Sequence, residues 1–151
     1  MAGKLVSQTK LKSSAGDAFH DLFRHKPHHI SNISPQSIQN CDLHDGEWGS
    51  EGSIISWNYV HDGKDKFAKD VIENLDEEKK SITFRVIEGD LLETYKNFKA
   101  ICHVDKEGED SLVTWTFEYE KLHENVDDPH TLMDFIVGVT KDIESHHHLH
   151  Q

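Results

Sequence analysis

The sequence has 151 residues and a mass of 17.4 kDa, and its 16 Lys and Arg against 28 Asp and Glu give a formal net charge of −12. This length predicts one domain, residues 1–151, with a single core, and so acidic a chain repels the phosphates of nucleic acid and anionic membranes. Only Cys41 and Cys102 are present, and the first residues lack the apolar segment of a secretory signal, so we expect a cytoplasmic protein with free thiols.

The first part of the chain predicts one strand and two short helices. Residues 3–12 alternate apolar and polar side chains, as a strand with one solvated face does. A pattern like a capping box begins at Ser14, and the apolar residues after it predict a helix that ends near Arg24. Pro27 and Pro35 bracket a second, shorter helix.

The middle of the chain, from Ser37 onward, predicts six strands. Period-two patterns recur there, and the connections between them are short. Parallel neighbours would need crossover helices, so hairpin-length connections imply antiparallel pairing. The predicted turns lie at residues 45–52, 62–63, 76–79, 89–90 and 106–110.

The last element is a long amphipathic helix. Acidic residues and Pro129 mark its start, and apolar residues at helical spacing continue to roughly His148. No apolar run approaches the roughly 18 residues that a membrane span needs. The element order predicts an α+β domain whose seven-stranded antiparallel sheet curls around this helix.

The glycine-rich segment at residues 45–64 predicts a chain reversal rather than a phosphate site. A phosphate loop of the Walker type ends in Gly-Lys-Ser/Thr and leads into a helix, whereas Gly46, Gly49 and Gly52 are followed by a strand pattern. Glycines here would supply positive φ in a wide hairpin. A weak anion nest made by the backbone amides is the alternative.

Three motifs resemble the plant major latex proteins, a group within the birch-pollen-allergen-like, pathogenesis-related class ten superfamily. They are GEWGSEGSIISW, VIEGDLLETYKNFKAICHV and TLMDFIVGVTKDIE, and they occur in the expected order. The resemblance covers essentially the whole chain. It implies the helix-grip fold, in which a curved seven-stranded antiparallel sheet wraps a long C-terminal helix, two short helices support it, and a large cavity lies inside.

The same resemblance implies that the inward faces of the strands and the helix line that cavity. Large apolar side chains usually pack on one another, so ordinary core packing is the alternative for any single residue. Alternation leaves open whether Tyr95, Asn97 and Lys99 or the opposite face of their strand, residues 91–105, points inward, since a bulge could move Tyr95 to either set. The candidate cavity residues are Ile55, Trp57, Tyr59, Phe67, Ile82, Phe84, Tyr95, Asn97, Lys99, Trp115, Phe117, Leu132, Phe135, Ile136 and Val139.

The function that the resemblance implies is a carrier for a hydrophobic or amphipathic small molecule, with a role in defence or development. The ligand classes are fatty acids, lysolipids, steroids, flavonoids and plant hormones, and we expect no cofactor and a monomer or weak dimer. A receptor that reports its ligand to a protein partner is a second possibility. The candidate cavity entrance comprises His28, His29, Asp62 and Gly89.

A ribonuclease is the rival function, because relatives in this superfamily have been credited with RNA cleavage. Glu93 and Glu144 match the two glutamates of that activity, but Ile55 stands at its lysine position and His146 at its tyrosine position. A phosphodiester transition state needs positive charge nearby, so we expect no catalytic residues. His146 and His150 are spaced to share a metal ion, but no structural zinc pattern accompanies them, and no metal site is predicted.

Overall fold

A curved antiparallel sheet of seven strands dominates the computed structural model, which describes residues 2–12 and 15–149. The sheet order is β1-β7-β6-β5-β4-β3-β2, and every neighbouring pair is antiparallel. The expected α+β fold class is confirmed. The strands are β1 (Ala2–Leu11), β2 (Ile38–Asp45), β3 (Ile54–His61), β4 (Lys64–Asp76), β5 (Ser81–Gly89), β6 (Tyr95–Glu107) and β7 (Asp110–Lys121).

Within the described residues, three α-helices and two 3-10 turns complete the fold. The helices are α1 (Ala15–His25), α2 (Ile30–Ile33) and α3 (His130–Leu149), and the 3-10 turns are Pro27–His29 and Asp90–Glu93. Pro129 precedes α3, and its carbonyl accepts the Met133 N–H at 3.0 Å, which closes the first turn. The predicted cap residue Ser14 lies outside the described residues.

The expected tight turn at residues 89–90 is a 3-10 turn instead, and β6 therefore begins at Tyr95 rather than at residue 91. Gly89 has a φ of 125°, and a Cβ there would overlap the carbonyl oxygen of Phe67. The Asp90 carboxylate accepts the Phe67 N–H at 2.7 Å. These contacts hold the 3-10 turn against β4 and place Leu91 over the inner face of the sheet.

The core forms where α1 and α3 meet the inner face of the sheet. Phe23 of α1 packs edge-on against Trp115 of β7, with ring centroids 5.4 Å apart. The Trp115 indole donates a hydrogen bond of 3.0 Å to the Thr140 hydroxyl, which itself donates to the Ile136 carbonyl at 2.8 Å. Because this chain of hydrogen bonds is buried, it fixes the position of α3 on the sheet.

The glycine-rich loop adopts the backbone conformation expected of it. Gly46, Gly49 and Gly52 have φ values of 84°, 84° and 86°, a region that glycine enters without a steric cost. A Cβ on Gly49 would overlap the His25 ring, and the Gly49 carbonyl accepts a hydrogen bond from Arg24 Nε at 3.3 Å. The loop thus reverses the chain between β2 and β3 while it packs on the end of α1.

Candidate functional site

An internal cavity of about 110 Å³ lies between the sheet, α3 and the two shorter helices. On a scale where one water needs about 10–15 Å³, it would hold about seven to eleven water molecules. Its walls are almost entirely apolar and come from β2 to β7, all three helices and the 3-10 turn before β6. The space is therefore suited to a small apolar molecule rather than to water.

Nine of the residues that the sequence suggested for the cavity line it. The strand positions alternate as expected, so that their side chains share the inner face of the sheet. The helical positions follow the apolar face of α3. The nine are Trp57, Tyr59, Phe84, Trp115, Phe117, Leu132, Phe135, Ile136 and Val139.

Strand β6 turns its apolar face inward, which settles the alternation that the sequence left open. Phe98 and Ala100 line the cavity, whereas Asn97 is exposed and Lys99 lies on the same outer face, opposite Arg85 and Glu118 of the neighbouring strands. A register shift between Tyr95 and Asn97 turns Tyr95 to the buried side. Its hydroxyl donates to the Asp127 carbonyl at 2.8 Å, at the rim rather than in the cavity.

Three further candidates do not line the cavity. Ile55 and Ile82 are only 2% and 1% exposed and belong to the packed core, and Phe67 precedes the lining residue Ala68 on β4 and so points to the other face.

Several lining residues come from elements to which the sequence gave no lining role. The two short helices contribute Phe23 and Ile30, and the 3-10 turn contributes Leu91. Their apolar spacing was visible, but which side faces the sheet depends on tertiary packing. The lining residues that were not predicted are Phe23, Ile30, Ile38, Ala68, Asp70, Val86, Leu91, Phe98 and Ala100.

Asp70 of β4 is the charged member of the lining. It is 5% exposed, and its Oδ1 has no hydrogen-bond partner. Burial raises the pKa of Asp70 to about 7, and the interaction with the Trp57 side chain only partly opposes this. Alternation with Ala68 and Ile72 on β4 is the sequence signal that could have identified it.

A surface groove of about 480 Å³ borders the cavity and shares Tyr59, Leu91 and Leu132 with it. The candidate entrance residue Asp62 lies in this groove and accepts a hydrogen bond of 3.3 Å from Thr131 of α3. Gly89 immediately precedes the groove residue Asp90. The charged groove residues are Asp62, Lys64, Lys66, Asp90, Asp127 and Asp128, an acidic set overall.

The other two entrance candidates lie elsewhere. His28 stacks on Trp48 of the glycine-rich loop with ring centroids 4.1 Å apart, and its edge packs on His29. Neither histidine lines the groove or the cavity.

The residues considered for ribonuclease activity and for metal binding lie outside the cavity. Glu93 is exposed in the 3-10 turn, and Glu144 of α3 accepts the Lys12 N–H at 2.8 Å. His146 lies on α3 in a shallow groove beside α1, and His150 lies outside the described residues. Within residues 2–12 and 15–149, no three His, Cys, Asp or Glu side chains converge on a metal position. In the same residues, no helix is long and apolar enough to cross a membrane.

Comparison with known proteins finds consistent relatives. The model of the pathogenesis-related protein Bet v 1 family matches residues 1–150. MLP-like protein 34 of Arabidopsis thaliana is 50% identical over 97% of this chain, which spans only 46% of that protein's length. The crystal structure of ginseng major latex-like protein 151 from Panax ginseng is 53% identical with a TM-score of 0.94, and the match covers 97% of both chains.

A more distant likeness concerns the fold alone. Norcoclaurine synthase from Thalictrum flavum is 18% identical with a TM-score of 0.80, over 100% of this chain and 89% of that one.

Proposed function

The chain belongs to the pathogenesis-related protein Bet v 1 family and to its major latex protein group, and from this premise we propose that it carries a hydrophobic or amphipathic small molecule in its internal cavity. The observation that supports the proposal best is the apolar cavity of about 110 Å³ inside an otherwise packed core. Native cores leave few voids larger than a water molecule. A cavity of this size is larger than ordinary core packing leaves, and this favours a bound ligand.

The expected affinity follows from the size of the cavity. A chain of about eight carbons has roughly as many heavy atoms as the cavity would hold water molecules. Burial of about eight methylene-sized groups at about 0.8 kcal/mol each gives about 6 kcal/mol. That free energy corresponds to a Kd on the order of tens of micromolar, and larger ligands would need the walls to move.

The adjoining groove offers the route of entry. Tyr59 and Leu132 belong to both the groove and the cavity, so these two side chains stand between the surface and the interior. The rings of Tyr59 and Phe135 lie 5.6 Å apart, from β3 to the first turns of α3. Rotation of these rings would admit a ligand without any change in the sheet.

A carrier fits the lining better than an enzyme does. The buried thiols of Cys41 and Cys102 have pKa values raised by burial, so neither is a ready nucleophile. Asp70 faces the cavity without a catalytic base or nucleophile beside it among the lining residues. We place this carrier in the cytoplasm, with a defence or developmental role, on the strength of the family resemblance.

Native mass spectrometry of the purified protein, followed by organic extraction, tests the proposal. We expect a mass above that of the chain and release of an apolar passenger, or, for an empty preparation, a saturable change in tryptophan fluorescence when octanol is added. Trp57 and Trp115 line the cavity and would report the binding. An empty protein whose fluorescence responds to no apolar ligand would refute the carrier function.

A further inference from the structure

Asp70 is a buried acidic side chain whose hydrogen bonds are incomplete in the folded chain. Its carboxylate lies in an apolar cavity and is 5% exposed, with Oδ1 unpaired. Among the described residues the His28 Nδ1 is the other buried side-chain atom without a partner, and it lies outside the cavity. Buried polar atoms in native proteins are nearly always hydrogen-bonded, so an unpaired oxygen on a residue that lines the cavity indicates an acceptor for a bound molecule.

Asp70 lies in the interior of the sheet, with a strand on either side. Asp70 lies on β4 between the register partners Ile55 of β3 and Val86 of β5. The Asp70 Oδ1 has no hydrogen-bond partner in the folded chain, so it can accept a hydrogen bond from a molecule in the cavity.

We propose that Asp70 anchors the ligand, and that the cavity therefore selects apolar molecules that end in a hydrogen-bond donor, an ammonium first and a hydroxyl second, over molecules that end in a carboxylate. This inference rests on the proposed carrier function and narrows its ligand class. It removes ionised fatty acids from the preferred ligands and retains amines and alcohols.

The ranking follows from charge. An ammonium pairs with the buried carboxylate and forms a charge-assisted hydrogen bond, which is about twice as strong as a neutral one. A hydroxyl satisfies Oδ1 without bringing a charge. A ligand carboxylate would place two anions together in a low-dielectric space, so one of them must take up a proton before it can bind.

The charges around the site favour the same order. The ligand passes the acidic groove, where Asp62, Asp90 and Asp128 outnumber the lysines in its path. Burial raises the pKa values of Cys41 and Tyr59, and nearby carboxylates that include Asp70 add to this, so both groups stay neutral. No cation among the lining residues competes for the carboxylate.

A series of ligands with one eight-carbon body tests the inference: octylamine, octanol, octanoate and octane. Each is titrated into the wild-type chain, Asp70→Asn and Asp70→Leu at about pH 8, where the amine and both acids are mostly ionised, with tryptophan fluorescence and calorimetry as readouts. We expect wild type to bind octylamine tightest, octanol next, and octanoate weakest, with roughly tenfold or more between the amine and octanoate. Circular dichroism confirms that each variant is folded.

The variants separate charge from hydrogen bonding. Asp70→Asn should remove the preference for octylamine over octanol while it keeps octanol binding, because the amide oxygen still accepts. Asp70→Leu should bind octanol no better than octane. Equal octanoate and octylamine affinities in wild type, or an unchanged ligand order in both variants, would overturn the inference. Binding of none of the four ligands would instead refute the carrier function itself.

Discussion

Replacement of Asp70 by Asn should raise the free energy of unfolding above neutral pH, and the difference from wild type should grow as the pH rises. The pKa of this carboxyl is about 7 in the folded chain against a model-peptide value of 3.8, because burial disfavours the charged form. The folded state therefore holds a proton that the unfolded state releases. Stability from this group is fully present below about pH 4 and is lost as the pH rises towards 7.

The magnitude follows from the size of the shift. About three pKa units at 1.36 kcal/mol each give about 4 kcal/mol of stability lost between acid and neutral pH. Asn cannot ionise, so the free energy of unfolding of Asp70→Asn lacks this loss. The side-chain amide retains about 1–3 kcal/mol of cost for its unpaired groups, which lowers the gain at every pH but does not change its slope.

Urea unfolding of both proteins at about pH 4, 5.5, 7 and 8 measures the effect, and Asp134→Asn, an exposed position on α3, is the matched control. The difference between Asp70→Asn and wild type should increase by about 4 kcal/mol across this range, whereas the Asp134→Asn difference should stay flat. A difference for Asp70→Asn that does not change with pH would refute the reasoning, since the carboxyl would then not be buried without a partner.

Three further variants test other parts of the structure. Thr140→Val should lower the free energy of unfolding by about 1–3 kcal/mol, because it leaves the buried Trp115 N–H without an acceptor. Thr140→Ser keeps the hydroxyl and should cost less. Denaturant unfolding that finds the Ser variant less stable than the Val variant would contradict this. Gly89→Ala should lower the free energy of unfolding by roughly 3 kcal/mol, since its φ of 125° is accessible almost only to glycine. Gly52→Ala is the control and should cost about 1 kcal/mol, because a Cβ there meets nothing within 4 Å. Equal shifts in melting temperature for the two variants would be inconsistent with the contact at Gly89. Lys99→Ala should leave octanol affinity unchanged in a fluorescence titration, because Lys99 lies on the outer face of β6, and a large loss would place that side chain in the site.

The sequence predicted the sheet and most of the aromatic wall because both depend on local periodicity. Trp57 and Tyr59 on β3, and Trp115 and Phe117 on β7, alternate without interruption, so the face that one of them takes determines the others. Antiparallel order followed from short connections for the same reason. These features need no knowledge of distant contacts.

The features that the sequence left open or missed depend on packing between distant residues. The bulge before Asn97 turns Tyr95 to the buried side, and the residue pattern alone does not predict that bulge. The 3-10 turn before β6 depends on the Asp90 bond to Phe67, which is 23 positions away in the chain. Asp70 was missed because an acidic residue in a strand is ordinarily solvated, although its alternation with Ala68 and Ile72 places it on the buried face of β4.

A titration of octanol into a cavity-filled variant tests the carrier function most directly. Ala100→Leu adds its side chain to the cavity wall on β6, and Ala18→Leu makes the same change on α1 away from the cavity. We expect Ala100→Leu to keep its thermal stability, because the added carbon atoms enter the cavity. It should bind octanol at least about tenfold more weakly than wild type, because the same atoms take the place of the ligand. Ala18→Leu should bind octanol as wild type does. Unchanged octanol affinity in a folded Ala100→Leu variant would show that the ligand does not occupy the cavity.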